Sequence, residues 1–263
     1  MSGDFLVKGK PQDAGGVLAY DECLSLAEPQ SLKEAVDLKQ WFQDTYGVQV
    51  TTPSAPDGWQ RGDGYYYHFF PSSLAVQIEQ MKNLKQQIQK IPPVFFKSLG
   101  IATFVLSGHW MFEDNAQGES RHEDIATAFS SSIYFYEAWP FYHELFHMMD
   151  KLHTDELHDS VLFSERGWTQ TKKDLEQNSA WALLEPGDSG STQPDYGDTW
   201  VDEEQANYAF ILFNLDKPVS RDLYNKQMTN PGKRAKFEQM KRWLLEWSNG
   251  VFDNAYWENL TRK

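Results

Sequence analysis

An α+β fold is what this sequence predicts, on three observations. Apolar residues recur at the helical period in several stretches, most clearly Leu74, Val76, Ile78, Met81, Leu84, Ile88 and Ile91. Shorter runs of β-branched and aromatic residues between turn formers, such as Tyr65–Phe70 and Ile101–Leu106, read as strands. The strands precede a mainly helical C-terminal part, the segregation expected of α+β rather than of alternating α/β order. With 40% hydrophobic residues and ten tryptophans, the 263-residue chain can bury a core as one large domain or two small ones.

The elements follow in order. Gly and Pro punctuate the first thirty residues, which read as irregular. Ser31 can cap a helix carrying Leu32, Ala35, Val36, Leu38, Trp41 and Phe42, which Gly47 stops. Val48–Thr52 reads as a short strand, the Pro-rich stretch to Gly58 as a loop, and Tyr65–Phe70 as a second strand. Pro71-Ser-Ser opens the long amphipathic helix, and Pro92-Pro93 break it. Val94–Gly100 adds a turn before the buried strand Ile101–Leu106, and residues 108–124 read as a polar loop. Residues 131–136 form the next strand, after which Pro140 suits the first turn of a helix because its missing N–H is not needed there. Leu145, Phe146, Met148, Met149 and Leu152 give that helix an apolar face. Residues 153–200 are rich in Gly, Asp, Ser and Thr, with a helical piece near Leu175–Leu184 and an exposed loop at Glu185–Pro194. Helix resumes from Asp202, and 231–248 is a further helix ending at Gly250.

Within the helix after Pro140 lies His143-Glu144-Leu-Phe-His147. A spacing of four puts both imidazoles on one helix face, one turn apart, where they can share a zinc ion. Glu144 between them can take a proton from a water that the metal acidifies. The pattern points to hydrolysis of a protein or peptide substrate, as an endopeptidase rather than an exopeptidase. The order strand, strand, motif helix, loop, later helix fits an α+β peptidase domain over residues 93–263, expected to be zincin-like, with a small mixed sheet, the motif helix and a helical C-terminal part. Residues 1–92 would form an N-terminal α/β accessory lobe. Ile133–Glu137 would offer an edge strand along which extended substrate pairs. Asp150 would anchor a ligand or a neighbouring basic residue. A zinc-containing binding protein without turnover is the non-enzymatic alternative.

A catalytic zinc site takes three protein ligands and leaves one position for water. His153 has the metzincin spacing, but Asp150 stands where that arrangement uses a glycine to leave the helix. Glu203, in the first turn of the helix from Asp202, is a second candidate, with Glu204 one residue on as its alternative. Ala206 is small enough for that helix to pack closely on the motif helix, and Tyr196 lies just upstream. Glu165 and His158, with Glu185 and Asp195, are further possibilities in the intervening segment.

Tyr196-Gly-x-Thr-x-x-x-Glu203-x-x-Ala206, downstream of His143-Glu-x-x-His147-x-x-Asp150, resembles the anthrax lethal factor-like metallopeptidases and the related Mlc titration factor A group. The resemblance covers residues 143–150 and 196–210. It implies a gluzincin site: His143, His147 and Glu203 as zinc ligands, Glu144 as general base, and Tyr196 supporting the tetrahedral intermediate.

Composition excludes other classes. A net charge of −14 is unsuited to neutralising phosphates, so no nucleic-acid partner is expected. The single cysteine, Cys23, allows neither an internal disulfide nor an all-cysteine metal site. No apolar run reaches the length of a membrane span, and the N-terminus lacks the apolar core of a leader. A cytoplasmic protein, or one exported without a conventional leader, is the expectation; the oligomeric state is not legible.

Overall fold

Pro29 opens the first helix, α1 (Pro29–Tyr46), two residues before the cap expected at Ser31. Gly47, at a φ of 74°, supplies the left-handed conformation that ends it. The structure, a computed structural model, describes residues 29–53, 59–60, 65–70, 72–114, 120–123, 126–129, 131–154, 181 and 201–262. After α1 come β1 (Gln49–Thr51), β2 (Trp59–Gln60), β3 (Tyr65–Phe70), α2 (Leu74–Ile88), α3 (Pro93–Ser98), β4 (Thr103–Leu106), β5 (His109–Asp114), β6 (Ser120–Glu123), β7 (Ala126–Phe129) and β8 (Ser132–Phe135). Five helices complete the described chain: α4 (Phe141–Thr154), α5 (Val201–Phe213), α6 (Pro218–Gln227), α7 (Pro231–Trp247) and α8 (Asn254–Thr261).

The elements fall into two compact units: α1, α2 and the eight strands in one, α3 to α8 in the other. In the first unit one sheet has the order β1-β4-β8-β7, with β1, β4 and β8 parallel and β7 antiparallel to β8. Its β1, from the N-terminal part of the chain, is hydrogen-bonded to β4. The second sheet, β2-β3-β5-β6, is antiparallel throughout.

Two expectations are corrected here. Residues 108–124 are not a loop: β5 pairs with β3 from Phe70↔His109 to Tyr65↔Asp114, and β6 pairs back onto β5. Their polar composition hid them, because strand formation depends on a pairing partner more than on intrinsic preference. The strand before the motif helix is not an edge strand. β8 is hydrogen-bonded to β4 on one side and β7 on the other, so its backbone has no free side for a substrate.

Helix periodicity explains the cores. On α2, Leu74, Ile78, Met81, Leu84 and Ile88 are buried while Val76 is exposed, and Gln80 and Gln87 use their amides on backbone carbonyls. Gln80 donates to Ser107 and Tyr136 and Gln87 to Ala138, so α2 ties down the ends of β4 and β8. Phe42, Phe104 and Phe135 meet edge-on at 5.8 and 5.6 Å, linking α1 to the sheet. In the second unit Tyr142 of α4 stacks on Phe213 of α5 at 5.1 Å, and Phe213 meets Phe252 at the same distance. Asn230 caps α7, its side chain accepting from the backbone N–H of Gly232 and Lys233. No described helix is long and apolar enough to cross a membrane.

Candidate metal centre

Pro140 sets the start of α4: its carbonyl accepts from the backbone N–H of His143 and Glu144 at 2.8 and 3.1 Å. Phe141, Tyr142, Leu145, Phe146, Met148 and Met149 are buried, which fixes the rotation of the helix. Leu152, expected on that face, is half exposed. The polar stripe His143, His147, Asp150 is left partly open. Glu144 lies in the same turn as His143 and is only 7% exposed.

α5 brings the third group. It runs over Val201–Phe213, one residue earlier than the start expected at Asp202. Ala206 is fully buried, and its lack of bulk lets α5 lie close to α4. Glu203 Oε2 then sits 2.8 Å from His143 Nε2, and Oε1 3.5 Å from His147 Nε2. The two Nε2 atoms face each other at 3.1 Å. Opposed ring nitrogens at that distance have room for at most one hydrogen between them, an arrangement that invites a cation. Burial pushes the Glu203 carboxyl up. The charge of His147 and hydrogen bonds from both histidines outweigh it and hold the group well below the usual carboxylate range.

Asn207, one turn beyond Glu203, was missed in the sequence. His143 Nδ1 lies 3.2 Å from the Asn207 Oδ1, an acceptor, so this contact calls for a ring hydrogen on Nδ1 and leaves Nε2 to ligate once it gives up any proton shared with Glu203. The signal was the spacing of four from Glu203, which puts Asn207 on the same face of α5.

Among the described residues, His143, His147 and Glu203 form a group that could hold a metal ion. Their chemistry and spacing fit zinc: tetrahedral bonds of about 2.0–2.1 Å keep donors about 3.3 Å apart. The two Nε2 atoms lie 3.1 Å apart, and Oε2 and Oε1 of Glu203 lie 2.8 and 3.5 Å from one and the other, distances on either side of that value.

The other candidates lie elsewhere. His153 is exposed, its ring stacked on Trp247 at 5.1 Å and outside the group. Glu204 is buried; one carboxylate oxygen accepts from Lys236 Nζ and the other from Trp181 Nε1, each at 2.7 Å. Tyr196, His158, Glu165, Glu185 and Asp195 lie outside the described residues.

No family model matches the chain, and no curated protein matches it by sequence. Among solved structures, the chain shares its fold with a protein of Bacteroides caccae classed provisionally as a zinc-binding metallo-peptidase. The two are 10% identical, with a TM-score of 0.50, over 90% of this chain and 93% of the other.

Proposed function

We propose that this protein is a zinc metallopeptidase with a gluzincin arrangement, as its resemblance to the lethal factor-like and Mlc titration factor A groups implies. The observation that carries the reading is the convergence of His143 Nε2, His147 Nε2 and the Glu203 carboxylate, from two helices, at separations of 2.8–3.5 Å. The shared fold with the Bacteroides protein supports it.

In this reading His143, His147 and Glu203 hold the metal. Zinc, when bound, supplies a Lewis acid that brings the pKa of a water toward neutrality and polarises a peptide carbonyl. Glu144 would be the base that accepts a proton from such a water and returns it to the leaving amine, a role that its low exposure suits by limiting competition from bulk solvent. Asn207 keeps the hydrogen of His143 on Nδ1, so that the ring presents its other nitrogen. Tyr196 enters from the resemblance alone, as the hydroxyl that hydrogen-bonds the oxyanion. The substrate is a protein or peptide, cleaved internally.

Elemental analysis paired with peptide cleavage tests this. The purified protein is expected to carry about one zinc per chain. Glu144→Gln should keep the metal and lose hydrolysis. Protein that takes up no zinc, or Glu144→Gln protein that still cleaves, would overturn the reading.

A further inference from the structure

Glu203 and Glu204 are adjacent carboxylates on α5, about 100° apart around the helix axis. A little more than a quarter turn of that helix would exchange one for the other in front of His143 and His147. Both carry the same chemistry, so the identity of the residue alone does not choose between them.

The surroundings of Glu204 do. Lys236 of α7 is 1% exposed and donates to Glu204 Oε1 at 2.7 Å. The Trp181 indole N–H donates to Oε2 at 2.7 Å, and the Lys236 ammonium lies 5.5 Å from the Trp181 ring centroid. Glu204 itself is 4% exposed. A buried ion pair adds little stability that two apolar side chains of similar volume would not supply. It does give one carboxylate a dedicated partner at a fixed place in the core. Among the described residues Glu203 meets neither a lysine nor an indole; its carboxylate faces the two histidines.

We propose that Lys236 and Trp181 are positioning residues that capture Glu204 and so select Glu203 as the carboxylate facing His143 and His147. This rests on the reading of those three residues as zinc ligands. Freed from Lys236, Glu204 becomes a second carboxylate able to compete for the metal, and α5 loses one of the contacts that hold its rotation.

The test is metal binding by the full chain, read as the zinc dissociation constant from chelator competition and as the absorption spectrum of the cobalt(II)-substituted protein. Lys236→Met should weaken zinc binding tenfold or more and change the cobalt spectrum. Adding Glu204→Leu to it removes the competitor, and should restore both toward wild type. Lys236→Met protein with wild-type affinity and spectrum overturns the proposal, as does a double variant no better than the single one. Should Lys236→Met fail to fold, Trp181→Phe removes one N–H and no charge. A several-fold loss of zinc affinity with a changed spectrum supports the proposal, and wild-type values overturn it. Wild-type protein that binds neither metal overturns the proposed function along with it, whereas normal wild-type binding with unaltered variants overturns the positioning role alone.

Discussion

His143 Nε2 and Glu203 Oε2 lie 2.8 Å apart although 60 residues separate them in the chain. The contact exists because Tyr142 and Phe213 pack α4 against α5, while Ala206 leaves room for the approach. This histidine–carboxylate pair is thus held by an apolar interface beside it.

Glu203→Ala should weaken zinc binding by more than the roughly 10–100-fold typical when only a ligand's hydrogen-bond partner is lost. His153→Ala, which disturbs a ring stacked on Trp247, should leave zinc affinity unchanged. Chelator competition measures both; the reverse ranking would restore the metzincin-like alternative.

Asn207→Ala should lower zinc affinity about 10–100-fold by freeing the His143 ring to turn and change tautomer. Asn207→Asp keeps an acceptor for Nδ1–H and should recover most of that loss. Equal affinities for wild type and Asn207→Ala would remove Asn207 from this role.

Tyr142→Ala should cost about 3–5 kcal/mol of stability, the range for emptying a large aromatic site in a core. Denaturant unfolding measures the change. A loss under about 1 kcal/mol would mean that the stack on Phe213 does not anchor α4.

Tyr256 carries a pH dependence. Burial, with the Asp216 charge adding to it, pushes its phenol well above the ordinary value, and its hydroxyl donates to the Lys90 carbonyl at 3.1 Å. In the unfolded chain a tyrosine ionises near pH 10. Its contribution is therefore fully present below about pH 10 and is lost as pH rises toward the folded-state value, by about 1.4 kcal/mol per pH unit. Tyr256→Phe should be less stable at neutral pH and show a shallower alkaline decline. Unfolding free energies between neutrality and about pH 11 provide the check; identical alkaline slopes would contradict it.

What was legible in the sequence depended on local signals. The Pro140 start and most of the apolar stripes of α2 and α4 came from proline chemistry and spacing, but Val76 and Leu152, read as part of those stripes, are exposed, and α2 stops at Ile88. The strands β5, β6 and β7 were missed because pairing rather than their own composition specifies them: β5 pairs with the distant β3, while β6 and β7 pair across short turns with β5 and β8. The same distinction runs through the site. His143 and His147 are one turn apart and announce themselves. Glu203 needed a resemblance to be singled out, since an acidic first turn is common on any helix. A lysine such as Lys236 gives no sign of burial in the sequence. Only the fold places it, 1% exposed, against Glu204.

The central claim is that His143, His147 and Glu203 hold one zinc ion. Crystals of the zinc-loaded protein, measured at the zinc absorption edge, test it most directly. The expected result is a single anomalous peak within bonding distance, about 2.0–2.2 Å, of His143 Nε2, His147 Nε2 and a Glu203 oxygen. A peak held by Glu204 or His153 instead, or no peak between the two imidazoles, would contradict it.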